Sequence, residues 1–310
     1  MKNTPLRSEQ TELSHYFHTL AGSDPDVVSV IMDIASASKR ISHEVERSGL
    51  YELHGTVGAT NIQGEEVQIL DDRCNQVVKD YLMSNNSVAA LASEEEDDVV
   101  PCNKSGRLAV AFDPIDGSSN IDINASVGTI FSILPADSQD ESVFLQPSGR
   151  QLGAGYVLYG SSTVLVFSLG DGIVTEFTLD PDNGDYFQTI ESIKVPKSGG
   201  FVSFNPSLLP KLRPADEEKY RSMLYDDERS HRYIGAMVAD VHRTLLKGGV
   251  FAYPEFRKDT EYVGKLRMQY EVKPLGWLFE QAGGKAMIGD IPCGEFQPAA
   301  LHERVPIELS

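Results

Sequence analysis

The chain has 310 residues, 41% hydrophobic and 24% charged, as in a soluble globular protein with one large core or two moderate ones. Its net charge of −19 excludes nucleic acid and anionic membrane as bulk electrostatic partners, so an anionic substrate would need bound metal or clustered Lys and Arg. No apolar run approaches the roughly 18 residues of a membrane span, and Cys74, Cys102 and Cys293 form no CxxC pair, which predicts free thiols in a reducing compartment. The expected location is the cytoplasm, or an organelle such as a plastid if a targeting segment has been removed.

Residues 9–49 read as helical, with Val28, Ile31, Ile34, Ile41 and Val45 at helical spacings, Ser23 or Asp24 as cap and Gly49 as stop. "HGTVGATNIQGEEV" (54–67) has three glycines and no apolar period, and reads as a long mobile loop. "VQILDDRCNQVVKDYLM" resumes a helix. "VAALASEEEDDVV" begins as a strand and runs into acids, "LAVAF" is a strand leading to "DPIDGSS", and "SVGTIFSILPA" is another. Strands and turn dipeptides follow from 151, with "SLGDGIV" a hairpin candidate. A composition shift at "SIKVPKSGG" (192–200) marks a domain boundary. Beyond it come the strand "GGFVSFN", a charged helix and loop over 209–230, an amphipathic helix in "GAMVADVHRTLLKGG", strands in "GVFAYP" and "KLRMQYEV", and the helix "PLGWLFEQAGGKA" with Pro274 in its first turn.

The acids cluster by position. Glu94 and Glu95 follow one apolar run, Asp113 and Asp116 end another, Asp71 begins a helix and Glu271 ends a strand pattern. Carboxylates at the ends of adjacent strands converge where α/β proteins bind ligands, and they suit hard divalent ions such as Mg²⁺ or Mn²⁺. Each stretch alone also has a plainer reading: "SEEEDD" as a solvated loop, "DPIDGSS" as a capped turn. Gly117, Ser118 and Ser119 can open a helix whose free N–H groups bind phosphate, which beside metal suggests phosphoryl hydrolysis. His242 reads as a packed structural histidine, and Trp277 and Phe279 as core.

The ordered stretches "TNIQGEEVQILD", "SEE", "FDPIDGSSNID", "SVGTIFSI", "AGYVLYGSSTVLV", "FTLDP", "RYIGAMVADVHRTLLKGG", "YP", "GKLRMQYE" and "EQAGGKA" carry a resemblance along nearly the whole chain. The chain resembles the class I fructose-1,6-bisphosphatases of the lithium-sensitive sugar and inositol phosphatase superfamily. The Asp-Pro-Ile-Asp-Gly-Ser element alone marks only the superfamily. The resemblance implies a layered α-β-α-β-α fold of two domains: 1–193 with the metal carboxylates, and 194–310 binding the sugar phosphate. It implies two or more Mg²⁺ (or Mn²⁺) per subunit held by Glu94, Glu95, Asp113, Asp116, Glu271 and the Ile115 carbonyl, with Asp71, Glu94 and Glu95 as the catalytic acids and Glu65 as a further loop acid. Gly117, Ser118 and Ser119 match the 1-phosphate site. Asn205, Tyr233, Tyr253 and Lys265 match the distal phosphate pocket, Met237 a backbone contact to the sugar, and Arg232 an arginine reaching that phosphate from a neighbouring subunit of a homotetramer.

The implied reaction is hydrolysis of the 1-phosphate of fructose 1,6-bisphosphate within carbohydrate metabolism, gluconeogenesis or the Calvin cycle. "YEVKPLGWLFEQAGG" departs from the family's usual Asn-Pro-Met-Ala and leans toward sedoheptulose 1,7-bisphosphatases, as sole or second activity; a non-catalytic sugar-phosphate sensor is the remote alternative. AMP-inhibited members bind the nucleotide phosphate through Gly-Thr-Gly-Glu-x-Thr at the start of the first long helix. Here that stretch is "SDPDVV", and the supporting Lys-Tyr pair is Arg107-Leu108, which implies no AMP inhibition in the micromolar range.

Overall fold

A computed structural model describes residues 10–50, 56–60 and 66–310. The helical stretch expected over 9–49 is two helices, Leu13–Thr19 (α1) and Pro25–Arg47 (α2). Gly22 breaks them at φ +81°, and Pro25 holds Asp24 extended, because the residue before proline avoids the helical region. Asp24 then caps α2, its carboxylate accepting from Asp26 N at 3.0 Å. A single 3-10 turn, Ser48–Leu50, follows the helix. The loop expected at 54–67 contains an antiparallel pair, Thr56–Thr60 (β1) with Glu66–Gln68 (β2). The β-branched Thr56, Val57, Thr60 and Val67 outweigh the glycines there. Glu65 lies outside the described residues. Ile69–Ser84 forms α3.

The large sheet comprises Val88–Ser93 (β3), Val100–Pro101 (β4), Leu108–Asp116 (β5), Val127–Pro135 (β6), Gly153–Tyr159 (β7), Thr163–Ser168 (β8), Thr175–Leu179 (β9) and Tyr186–Ile190 (β10). Their order is β10-β9-β8-β7-β6-β5-β3-β4. Only β3 and β5 are parallel; every other neighbouring pair is antiparallel. The expected hairpin joins β8 to β9 through six residues, Leu169–Val174, and Gly170 and Gly172 supply the positive φ.

Strands β3, β5, β6 and β8 are buried almost end to end, so they read as continuous apolar runs, because both faces of the sheet are covered. On one face Val30, Ile34 and Ile41 of α2 and Leu70 and Val78 of α3 pack on Val110, Phe112, Phe131 and Phe167. On the other, Ile130, Tyr156 and Val166 meet Val238 and Val241 of Met237–Lys247 (α5) and Leu275 and Phe279 of Lys273–Gln281 (α6). Beyond these helices lies a second sheet of Phe201–Ser203 (β11), Ser230–His231 (β12), Val250–Tyr253 (β13), Ala286–Ile288 (β14), Ile291–Pro292 (β15) and Ile307–Leu309 (β16), ordered β12-β11-β13-β16-β14-β15. The helix Pro214–Leu224 (α4) closes the stack: Tyr220 lies on Phe204 with ring centroids 4.9 Å apart and donates to Glu308 of β16 at 2.8 Å. The layers run α-β-α-β-α, as expected.

Trp277 and Phe279 are core. His242 faces the large sheet, its Nδ1 2.7 Å from the Tyr156 hydroxyl. The "KLRMQYEV" strand is a correction. The ladder is only Leu266–Arg267, paired with Arg304–Val305; a π-helical turn, Met268–Val272, then runs into α6. One more backbone bond to the partner segment, Met268 N to Glu303 O at 2.8 Å, lies where the turn begins, and the buried side chains of this turn supported either period.

Candidate active site

Because β3 and β5 are parallel and Ser93 lies opposite Phe112, the acids that follow each ladder leave the sheet side by side. Glu94 N donates to Phe112 O at 3.1 Å, which sets Glu94 beside Asp113. Residues three apart on a regular strand face opposite ways. Here the β5–β6 register shifts between Asp113 and Asp116, around Pro114, which has no N–H for a ladder bond. That shift brings both aspartates to one cavity. Glu271 arrives from the π-helical turn, and carboxylate oxygens of Asp113, Asp116 and Glu271 lie within 4.8 Å of one another, all buried.

Two residues, Val238 and Arg267, fix the cluster. Val238 N, in the first turn of α5, donates to Asp116 Oδ2 at 2.6 Å, so an acid of the first sheet caps a helix of the second region. Arg267 N donates to Glu271 Oε2 at 2.6 Å, and the Arg267 guanidinium stands 2.8 Å from Glu94 Oε1 and 3.9 Å from Glu271 Oε2. Gly117 follows at φ +79°. A Cβ there would lie 2.4 Å from that of Ala236, so only glycine allows this approach of the two segments. The helix expected after Gly117 is a six-residue 3-10 stretch, Ser118–Ile123.

These groups line one cavity of about 310 Å³. Asp71, Glu94, Glu95, Asp113, Ile115, Asp116 and Glu271 form its acidic wall, with Gly117, Ser118 and Ser119 beside them. Tyr233, Met237, Tyr253 and Lys265 form the opposite wall. Two expected residues stand outside. Asn205 accepts from Ser207 N at 3.1 Å and bonds the Tyr233 hydroxyl, so it backs the wall without lining it. Arg232 is exposed, and its Nη1 donates to His231 O at 2.8 Å. Arg267 and Asp240 line the cavity without having been singled out in the sequence. For Arg267 a signal existed: it lies two residues after Lys265 at the start of a strand. Asp240, fully buried, accepts from Ile234 N at 3.0 Å and Gly235 N at 3.0 Å and shapes the turn carrying Tyr233.

Burial raises the carboxyls of Glu94, Asp113 and Asp116 well above their usual range, and neighbouring acids raise them further, Glu271 against Glu94 and Asp116, and Glu94 against Asp113. Arg267 opposes this at Glu94, and the Val238 N–H at Asp116. The Arg267 guanidinium therefore offsets charge at Glu94, Asp116 and Glu271. Glu94 Oε2 is buried without a hydrogen-bond partner, an arrangement that is costly unless a cation completes it. A set of hard oxygens of this kind fits a divalent ion.

Residues 11–191 match the family model "Fructose-1-6-bisphosphatase, N-terminal domain", and 195–310 match the corresponding C-terminal domain. "Fructose-1,6-bisphosphatase class 1" of Shewanella amazonensis is 44% identical over 292 residues, 92% of this chain and 91% of that protein. The protein of the same name from Sulfurihydrogenibium sp. is 46% identical over 281 residues, 90% of this chain and 86% of that one. The solved structure of Leishmania major fructose-1,6-bisphosphatase in holo form superposes with TM-score 0.90 at 35% identity, covering 97% of this chain and 95% of that chain. The apo form gives 0.84. Strand-end carboxylates in a layered fold of this kind define a phosphatase, in a family whose members depend on divalent metal. The chain belongs to the fructose-1,6-bisphosphatase family.

Proposed function

We propose that the protein hydrolyses the 1-phosphate of fructose 1,6-bisphosphate to fructose 6-phosphate and inorganic phosphate. The observation that carries this reading is the cavity with two unlike walls: buried acids on one side, and tyrosines with Lys265 on the other. A substrate with two phosphates suits both, one phosphoryl group at the acids through a cation and one at the hydroxyl and ammonium donors.

Glu94, Glu95, Asp113, Asp116, Glu271 and the Ile115 carbonyl would hold the cations, which we take to be Mg²⁺ or Mn²⁺, two or more per subunit. A bound divalent ion supplies charge to the transferring phosphoryl oxygens and lowers the pKa of a coordinated water. Asp71 and Glu95 accept the proton of the attacking water. Gly117 and Ser118 hold the departing phosphate through backbone N–H and hydroxyl, with Ser119 beside them. Tyr233, Tyr253 and Lys265 bind the distal phosphate, with Asn205 fixing the Tyr233 hydroxyl. The Met237 backbone meets the sugar. Arg232 is exposed and outside its own cavity, which supports a role at a neighbouring copy's site in a homotetramer.

We place the boundary between the two regions at 193/194. Ile193 N donates to Val174 O in the first region at 2.7 Å, and Val195 N to Ala282 O at the end of α6 at 3.0 Å. Among the described residues no helix is long and apolar enough to cross a membrane; we take the cytoplasm as the location.

Phosphate release from fructose 1,6-bisphosphate and sedoheptulose 1,7-bisphosphate, measured side by side with Mg²⁺ and with Mn²⁺, tests the reading. The expected result is metal-dependent release with the higher kcat/KM on the fructose compound. No release from either, or release undiminished by a chelator, would overturn it.

A further inference from the structure

Lys273 is a charged residue with no exposed surface. Its Nζ donates to Phe144 O at 2.7 Å, Gln146 O at 2.8 Å and Gln269 Oε1 at 3.1 Å, so the three donors of the ammonium meet three acceptors. Its own carbonyl accepts from Gln151 Nε2 at 3.0 Å, which also donates to Ser148 O at 3.0 Å. Residues 144–151 belong to the first region; Gln269 and Lys273 lie at the two ends of the π-helical turn in the second.

We propose that Lys273 is a positioning residue of the active site, a buried clamp that locks the π-helical turn to the 144–151 segment and thereby fixes where the Glu271 carboxylate stands. The inference rests on Glu271 holding metal, as proposed above. Its basis is the bracketing. Glu271 lies midway between Gln269 and Lys273, and both flanking side chains converge on the same ammonium. A π turn is a poorly bonded geometry that persists where its surroundings impose it. An ammonium is costly to bury, and packing alone would be served as well by an apolar side chain of the same length. What the ammonium adds is direction, since it binds two carbonyls across the junction and one amide within the turn. The carboxylate between those anchors can then meet Asp113 and Asp116 with little freedom to swing.

The test is divalent-metal affinity, read without substrate by Mn²⁺ titration in electron paramagnetic resonance, alongside KM, kcat and far-UV circular dichroism. Lys273→Met keeps an unbranched stem as far as Cε and removes the donors. It should weaken Mn²⁺ binding at least tenfold and lower kcat, while KM for the sugar bisphosphate moves less than threefold. Lys273→Arg, which keeps the charge, should recover part of the metal affinity. Gln151→Leu leaves the ammonium in place and frees the Lys273 and Ser148 carbonyls; it should weaken Mn²⁺ binding two- to fivefold, and it decides the matter if Lys273→Met does not fold. A purely structural lysine would lower the melting temperature and leave metal affinity unchanged, and that result in the folded variants overturns the proposal while the enzymatic reading stands. Failure of the wild-type protein to bind Mn²⁺ overturns both.

Discussion

The two walls of the cavity are built differently. The acidic wall is internal: Asp71, Glu94, Asp113, Asp116 and Glu271 are all buried, and most stand on or beside the central strands of the large sheet. The opposite wall belongs to the second region, where Tyr233 sits on a turn and Lys265 is an exposed residue at the head of a two-residue ladder. Chemistry that must not vary is placed where packing leaves a side chain one position. Recognition is more mixed: Lys265 is exposed and Tyr233 half-buried, while Met237 and Tyr253 on the same wall belong to the core of the second region.

The largest effect expected on this contrast comes from the acidic wall. Asp116→Ala removes a carboxylate and the cap on Val238 N. Steady-state kinetics should show kcat lower by at least about 10³-fold, the scale for deleting one electrostatic element of a site. Activity within tenfold of wild type would remove Asp116 from the metal set.

The joint between the regions comes next. Burial lowers His242 to about 4 from its ordinary 6.5, so it is neutral in the folded protein, against Tyr156. The unfolded chain takes up a proton first as pH falls. The stability held by neutral His242 is therefore complete above about pH 6.5 and is lost on acidification toward pH 4. Urea unfolding at pH 7 and pH 5 should differ by about 2 kcal/mol from this group, a difference that His242→Gln abolishes. An unchanged pH slope in the variant would mean that His242 titrates alike in the folded and the unfolded chain.

On the recognition wall the effect should be smaller and selective. Lys265→Ala should raise KM for the bisphosphate roughly tenfold, about the weight of one charge-assisted contact, with much less effect on fructose 1-phosphate. Equal effects on both substrates would take Lys265 away from the distal phosphate.

The smallest expected effect is none. At the start of α2, Asp24 caps its own helix, Asp26 accepts from the Ser87 hydroxyl at 2.7 Å, and Arg107 is ion-paired to both aspartates. The Asp26 N–H and the Arg107 cation, which a nucleotide phosphate would use, are engaged by resident carboxylates. An AMP titration at saturating Mg²⁺ should give no half-inhibition below about 100 μM.

Much of this was legible in the chain. The acidic constellation could be read because strand-end acids and a proline-split aspartate pair are local patterns, whereas the layered fold came from the family resemblance, runs such as "LAVAF" indicating only buried strands. The π-helical turn was not. "KLRMQYEV" satisfies a two-residue alternation, yet the ladder ends at Leu266–Arg267 and the π-helical turn begins at Met268. Lys273 was equally hidden: its acceptors at Phe144 and Gln146 lie far away in the chain, and no local pattern reveals that a lysine is dry. The break before α2 was signalled by Gly22 and Pro25, and there the apolar period was given too much weight.

The face of the large sheet that carries Ile130, Tyr156 and Val166 is covered by α5 and α6, so one core belongs to both regions. For recombination this makes the molecule a single unit. A second region transplanted from a relative would have to bring side chains fitted to that face, beginning with Val238, which already sits where a Cβ on Gly128 would come within 2.8 Å of it. Substrate preference should therefore not be transferable between relatives by exchanging the whole region that bears the recognition residues, since Met237 and Tyr253 among them belong to that shared core.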